Sequence, residues 1–590
     1  MHVLRVLLLF AGLVTSVRAE DLSNSAAWRK PAAAVLLDDG KMLAVANAGT
    51  GTVSLLQLQR SDDDSSRVLS ESAVGTSLTD LVAVPGSGWL LATDSGSRAL
   101  HAISRKGNQW QASRILPEAV VPEYAVSICL SSDGKVASVA SLWSRTVSLY
   151  SVSVHAVYDG ELRVGTMETL PLEFAPRLQL ALDDTHILVV DAFGGRLALV
   201  DVANRSVKPL RPIKGGNIRG LALSHDRQSV VFAHSIQNPL AYTDFNDVHW
   251  GMLTQNVLRE IPRSKLLDQT DTAADVTLRP VGQPGFGAAD LAGLVQRPNG
   301  EWLVLSSGTG DVNILQTPAG VRDRVHVGER PLKVLLQDES RAYVVNQHSD
   351  SISVVDPQAG RLIETISLGP NPPPTPASRG ERLFFSATLS HDQWLSCHSC
   401  HVEGHTTDGL TDTHSDGTFG TPKRILSLLG TRDVNPWAWN GSFRELHEQV
   451  EQSITSSMQG PQPTLDQVSD LTAYLHTLRH APPLLEPRTD DQKAVVAAGR
   501  QVFEREGCST CHVPSLTFTT DAVFDVGFVD EEGLAKFNPP SLRGVSQRSA
   551  FLHDGRAKSL RSVFEEHSHQ VAAGLSPQDL NALLEYLRSI

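Results

Sequence analysis

The sequence is poor in sulfur and short of positive charge. Of 590 residues only five are cysteine and five methionine, and 51 lysines and arginines stand against 65 aspartates and glutamates, a formal charge of −14. So few cysteines exclude a disulfide scaffold. The negative balance is the wrong sign for a nucleic-acid or anionic-membrane surface. Long apolar runs are missing too. The longest, Val6 to Val17, is about twelve residues against the roughly 20 that a membrane span needs. A composition of 41% hydrophobic and 20% charged residues excludes wholesale disorder. The length exceeds what one core can serve and predicts two to four domains.

That short apolar run follows Arg5 and ends at Val17-Arg18-Ala19. Residues 1–19 therefore read as a cleaved secretory signal rather than a transmembrane anchor.

From about residue 30 to 370 a pattern of turn, apolar strand, polar turn and alternating strand recurs. Its copies begin at Asp38-Asp39-Gly40, Pro85-Gly86-Ser87-Gly88, Ser132-Asp133-Gly134, Asp183-Asp184, His225-Asp226, Pro298-Asn299-Gly300 and Asp338-Glu339. A period of roughly 40–50 residues is that of one four-stranded propeller blade, so residues 20–369 are predicted to form an all-β seven-bladed propeller. An array of β-sandwiches is the alternative, but it does not require such uniform units. Extra length between the fifth and sixth units, within 239–290, carries Asp244, Asn246, Asp247, His249 and Trp250 and is expected as a loop on one face. Cys129 lies in an apolar strand and reads as a buried free thiol. Gly369 to Pro376 is a stiff Pro-rich linker, assigned to 370–379.

The other four cysteines form Cys397-His398-Ser399-Cys400-His401 and Cys508-Ser509-Thr510-Cys511-His512, two copies of C-x-x-C-H. A C-x-x-C pair can supply half a zinc site. Here each is followed directly by His and bracketed by helical apolar patterns, which favours c-type haem. Two thiols three residues apart reach the two vinyl groups, and His401 or His512 becomes the proximal iron ligand. Two mainly α cytochrome c-type modules follow, 380–482 and 483–590, each with an opening helix ahead of the motif and a closing helix after it. Two covalently attached haem c groups and an exported chain together predict a periplasmic protein. None of the five methionines, at 1, 42, 167, 252 and 458, lies in the second module. Its sixth ligand is therefore assigned to His567, with His569 as rival and Tyr586 a remote third.

At these residues the chain resembles the bacterial dihaem cytochrome c peroxidases and the related oxidases that mature a protein-derived quinone. The resemblance covers about residues 377–590 and joins a final propeller repeat, Ala342 to Asn346 and Ser351 to Asp356, similar to the YVTN type. It rests on Trp439-Asn440-Gly441, on Phe537 to Gly544 and on Phe551-Leu552-His553-Asp554-Gly555. It implies that Trp439 lies between the haems, that Gln449 is the active-site glutamine, and that His414, with His405 as rival, is distal to the first haem. His567 falls where the family's second haem takes Met or Tyr. The family's catalytic glutamate is replaced by Gln459, and a calcium ligand by Arg424 in Pro422-Lys423-Arg424, which puts calcium in question. His553 is expected to brace a loop or a haem propionate.

The expectation is an exported dihaem oxidoreductase that reduces peroxide or oxidises a substrate at haem 1, with electrons relayed through haem 2. The partners expected are a small cytochrome or cupredoxin as donor and a peroxide or small-molecule substrate, with no nucleic acid. A non-enzymatic electron-transfer protein whose propeller binds a redox partner is the alternative.

Overall fold

A computed structural model of the chain describes residues 16–17, 27–59, 65–114, 121–155, 161–268, 276–316, 320–413, 418–571 and 574–590. The expected signal peptide lies outside them apart from residues 16–17, and His414 lies outside them.

Seven four-stranded antiparallel meanders follow one another, from Pro31–Leu37 at the start of the first to Arg361–Ser367 at the end of the seventh. Their second strands, such as Met42–Asn47, His186–Asp191 and Arg341–Asn346, are buried on both faces because blades stack on either side. Small and β-branched side chains suit that double burial. The first strand of each blade neighbours the first strand of the next, and Pro31–Leu37 neighbours Pro331–Asp338. The meanders thus close into a ring, which a sandwich array does not. Leu43, Val45 and Leu56 of blade 1 pack with Tyr343, Val345 and Ile352 of blade 7 to seal it. Arg29, wholly buried, donates from its backbone N–H to Asp350 and from Nε to Glu71 across the same seam.

The extra length of the fifth unit is divided. Its main part links the second and third strands of blade 5, Ser229–Gln237 and Thr254–Pro262, and contains a short helix α1 (Phe245–His249) capped by Asp244, whose side chain accepts the Asp247 N–H. Leu240, Phe245 and Trp250 of this loop are exposed. The remainder precedes blade 6.

Helix α2 (Pro376–Phe384) opens inside the stretch read as linker, because Pro376 occupies its first turn and Thr375 and Ser378 form a reciprocal cap. The extended part of the linker therefore ends at Thr375. Beyond α2 come α3 (Cys397–Cys400), α4 (Leu446–Gln452) and α5 (Leu465–Leu475), then α6 (Asp490–Arg505), α7 (Leu560–Glu565) and α8 (Pro577–Arg588). Opening and closing helices cross in each module, α2 on α5 and α6 on α8. The crossings are tight. A Cβ on Gly380 would fall 1.9 Å from the Asp470 carbonyl, and one on Gly499 would fall 2.0 Å from that of Ala582. Glycine at the same point of both modules is thus a packing requirement. Among the described residues no helix is long and apolar enough to cross a membrane.

Candidate haem-bearing active site

The first C-x-x-C-H segment sits on the axis of the propeller. His398, Ser399 and Glu403 face the inner ends of the blades, where polar groups from four of them converge. Glu403 pairs with Arg177 at 2.8 Å, Arg219 at 2.8 Å and Arg330 at 3.0 Å. Buried Asp290 accepts from Ser399 Oγ at 2.8 Å and from Ser396 Oγ, and lies 3.5 Å from His398 Nδ1. Burial alone would push the Glu403 carboxyl up, but Arg219, Arg330 and Arg177 outweigh it and hold the group well below the usual carboxylate range. The Arg330 guanidinium also lies 3.4 Å from the centre of the Phe385 ring, and that ring packs against His398. His398 and Ser399 between the two cysteines, together with Glu403 just after the motif, are therefore what docks the module.

Behind this cluster lies a cavity of about 270 Å³. Cys397, Cys400 and His401 line it, with an apolar wall that includes Leu426, Leu428, Leu446, Val450 and Leu471. His401 Nδ1 donates to the Leu426 carbonyl at 2.8 Å, leaving Nε2 as the nitrogen available to a metal. Burial pushes this imidazole down to about 4, so it is neutral. Burial, aided by the Asp290 charge, pushes the Cys397 thiol up to about 12, and Cys400 likewise. Apolar walls, two thiols and one oriented neutral imidazole fit a covalently attached haem.

Trp439 and Gln449 both line this cavity. The Trp439 indole donates to the Arg424 carbonyl at 2.7 Å, and its own carbonyl accepts the N–H of Asn538 from the second module at 2.7 Å. It therefore stands at the join of the modules. Gln449 lies on α4 and donates from Nε2 to Ser453 Oγ at 3.1 Å. After it the helix loosens into a π turn, Ser453–Ser457, and this places Ser453, Ser457 and Met458 on the cavity wall. Met458 is a ligand-capable residue that sequence reasoning passed over, since the methionine count was applied to the second module alone. Thr519, Asn538, Pro540, Ser541 and Arg548 of that module complete the wall. No Asp or Glu is among the described lining residues. His405 is elsewhere: it packs edge-on against Trp143 and Phe193 of the propeller, Nδ1 meets Ser427 Oγ at 2.9 Å and Nε2 meets the Gln547 carbonyl at 3.4 Å. Neither nitrogen is left for iron.

In the second module Cys508 packs with a core of Val502, Phe503, Phe518, Leu583 and Tyr586. His512 Nδ1 donates to the Phe518 carbonyl at 3.1 Å, again leaving Nε2, and burial pushes the ring down to about 4. Phe518 precedes Thr519 of the first cavity, so the second imidazole is anchored one residue from the other module's wall. His567 and His569 follow α7. Each keeps a buried ring nitrogen without a hydrogen-bond partner, Nε2 in His567 and Nδ1 in His569. Tyr586 is buried in the core against Phe503 and Phe518.

Residues 376–506 match the family model described as di-haem cytochrome c peroxidase. The C-terminal part of the chain is similar to the dihaem cytochrome c peroxidases. It is 24% identical over 243 residues to the methylamine utilization protein MauG of Methylorubrum extorquens, an alignment covering 33% of this chain and 69% of that protein. To the cytochrome c551 peroxidase of Pseudomonas aeruginosa it is 22% identical over 267 residues, covering 36% and 77%. Among solved structures a chain of hydrazine synthase from Kuenenia stuttgartiensis is similar with a TM-score of 0.44 and 16% identity, covering 56% of this chain and 96% of that one. The chain is thus an oxidoreductase enzyme of the dihaem type, a class with covalently bound haem c, fused to a seven-bladed propeller.

Two departures from the dihaem cytochrome c peroxidase pattern noted in the sequence acquire a physical meaning. Gln459 does not line the cavity. Its Nε2 donates to the carbonyls of Thr243, in the blade 5 loop, at 2.6 Å and of Ser456 at 2.7 Å. A glutamate here could donate at most one proton and only when neutral. Gln459→Glu should therefore lower stability by about 2–3 kcal/mol and add no peroxide turnover, as a thermal melt and a steady-state assay will read.

Arg424 is wholly buried. Its N–H donates to the His553 carbonyl at 2.6 Å, Nε to the Leu552 carbonyl at 3.1 Å, and Nη1 to Asp408 at 3.0 Å. A fixed guanidinium supplies positive charge at the join of the modules. Chelation by EGTA should leave the absorption spectrum and turnover unchanged, whereas Arg424→Ala removes the cation paired with Asp408, leaving that carboxylate only its bonds from Ser549, and should cost about 3 kcal/mol in thermal stability. His553 stacks on Phe537, and its carbonyl is what holds Arg424.

Proposed function

We propose that the protein is an exported, periplasmic oxidoreductase with two haem c groups, one on Cys397, Cys400 and His401 and the other on Cys508, Cys511 and His512. The first is the reactive centre and the second passes it electrons. The reading is carried by the His401 cavity, which holds both Gln449 and Trp439 and is walled in part by the second module. Haem, when bound, supplies an iron that exchanges electrons with peroxide or another small substrate. Gln449 offers an amide to orient a small polar molecule there. Trp439, bonded to Arg424 on one side and Asn538 on the other, bridges the two modules. Arg548 lines the cavity and is a cation that can face a haem carboxylate. His567 is the sixth ligand of the second haem, with His569 as the alternative; each keeps a buried ring nitrogen without a partner. The electron donor is a small protein such as a cytochrome or cupredoxin.

Among the described lining residues there is no carboxylic acid to serve as the general acid for O–O cleavage, a step to which such acids contribute about 10²–10⁴-fold. Slow peroxide reduction, or oxidation of a substrate held beside the propeller, fits this wall better than rapid peroxide turnover. Met458 favours a second reading. Its thioether is in the same wall, and if it ligates the first iron the protein is an electron carrier.

Electron paramagnetic resonance of the oxidised and half-reduced protein distinguishes the two. A high-spin ferric signal that responds to peroxide supports the enzyme, and Gln449→Ala should then reduce turnover by about 10²-fold with haem content unchanged. Two low-spin signals indifferent to peroxide, one of them converted to high spin by Met458→Ala, would establish the carrier.

A further inference from the structure

Outside the haem cavity, one cluster of side chains converges as metal ligands do. His249, at the end of α1 in the blade 5 loop, points its Nδ1 at His391 Nε2, 3.3 Å away, and at Asp392 Oδ2, 2.7 Å away, and these last two atoms are 3.3 Å apart. Among the described residues this is the group of three His, Cys, Asp or Glu whose ligand atoms lie close enough to share one ion. Bonds of about 2.0–2.1 Å to a tetrahedral ion put its ligand atoms about 3.3 Å apart. Two of the three edges already have that length, and the third needs to open by less than an ångström.

We propose that His249 Nδ1, His391 Nε2 and Asp392 Oδ2 bind a divalent transition-metal ion of the zinc type, clamping the propeller loop to the haem module. The donor set supports this. Asp392 Oδ2 accepts the Gly285 N–H at 2.9 Å and has two imidazole nitrogens within 3.3 Å, themselves 3.3 Å apart, so three groups that can act as ligands crowd one point. A dication uses a lone pair from each nitrogen and from the carboxylate at once. Imidazole nitrogen with a single carboxylate selects zinc-like ions over calcium or magnesium, which take oxygen shells. The outer contacts hold both sides of the clamp in place: the Trp394 indole donates to the His249 carbonyl at 3.1 Å, and the Asp392 carbonyl accepts the Gly287 N–H at 2.7 Å. The three side chains retain between 18% and 31% exposure, enough for a water to complete the shell.

The clamp has a consequence for the cavity. The His391 N–H donates to the Met458 carbonyl at 3.0 Å, and Thr243 and Leu253 of the clamped loop line the same cavity as Met458. An ion at this point would fix the loop that borders the proposed reactive centre, from a position on its rim.

Full-length haem-loaded protein without a histidine tag, stripped with chelator and titrated with zinc sulfate, provides the test. About one zinc per chain should survive gel filtration, with X-ray absorption reporting nitrogen and oxygen neighbours at about 2.0 Å and no sulfur. His249→Ala and His391→Ala should each weaken binding by at least roughly tenfold, and Asp392→Asn should do so to a lesser degree. The haem absorbance of each variant shows that the module is intact, and His249, on a loop of the propeller, can be replaced without disturbing the haem-binding helices. Failure of the wild type to retain zinc, sulfur in its zinc shell, or equal retention by the two histidine variants would each overturn the proposal.

Discussion

Glu403→Gln should loosen the first haem module from the propeller, at a cost of about 2–4 kcal/mol. The carboxylate answers Arg177, Arg219 and Arg330 together, and its side chain retains 27% exposure, so the cost is set below that of a fully buried pair. Glutamine keeps the shape and removes the charge. The three guanidiniums, from blades 4, 5 and 7, would then face one another with only Asp290 nearby. The effect should appear as a lower thermal midpoint and as faster proteolysis in the linker before Thr375. A midpoint within a degree of wild type would refute the axial cluster as the docking element.

The same cluster fixes an acid dependence. The folded-state pKa of Glu403 lies below its unfolded value of about 4.3. Its contribution is complete above that unfolded value and is lost as pH falls through the folded one. Docking in the wild type should therefore persist through pH 4 and fail only in stronger acid, while Glu403→Gln lacks this component at every pH.

His567→Gly is expected to convert the second haem wholly from low spin to high spin, while His569→Gly leaves it low spin. Both histidines keep a buried ring nitrogen unpaired, Nε2 in His567 and Nδ1 in His569, and His567 stands seven residues after Leu560, where the resemblance places the ligand. The first haem's signal should be unaffected in either variant. Turnover with an external donor should fall by about 10–100-fold in His567→Gly, since electrons enter through the altered site. The opposite pattern, with His569→Gly giving the high-spin signal, would move the ligand to His569. Imidazole added to the glycine variant should restore the low-spin spectrum.

Much of this molecule is written in local pattern. The strand repeats require no distant partner to be recognised, because each blade is a contiguous meander whose second strand is buried on both sides. The pair Gly380 and Gly499 could likewise be seen ahead of each haem motif, although the reason for it, a helix crossing within 2 Å of a Cβ, needs the closing helices in place. His405 shows the limit. The resemblance offers it as rival to His414 for the distal position, yet Trp143 and Phe193 of the propeller claim its ring and Gln547 of the other module its Nε2. Met458 and Gln459 show it again. A single residue separates a wall side chain from a loop anchor, and the π turn before them decides which is which.

By itself the sequence determined the seven units, the two attachment motifs, the helical brackets around them and the absence of a methionine from the second module. These are set by chemistry between near neighbours, two thiols and an imidazole within five residues or a strand and its turn. The tertiary structure alone decided that the propeller axis receives the first haem segment through Glu403, that both modules wall one cavity, that Gln459 serves the blade 5 loop, and that His249 meets His391 and Asp392. Each of these joins residues more than a hundred positions apart, or through a third element. Burial and charge complementarity across such contacts exist only once the ring has closed and the modules have docked upon it.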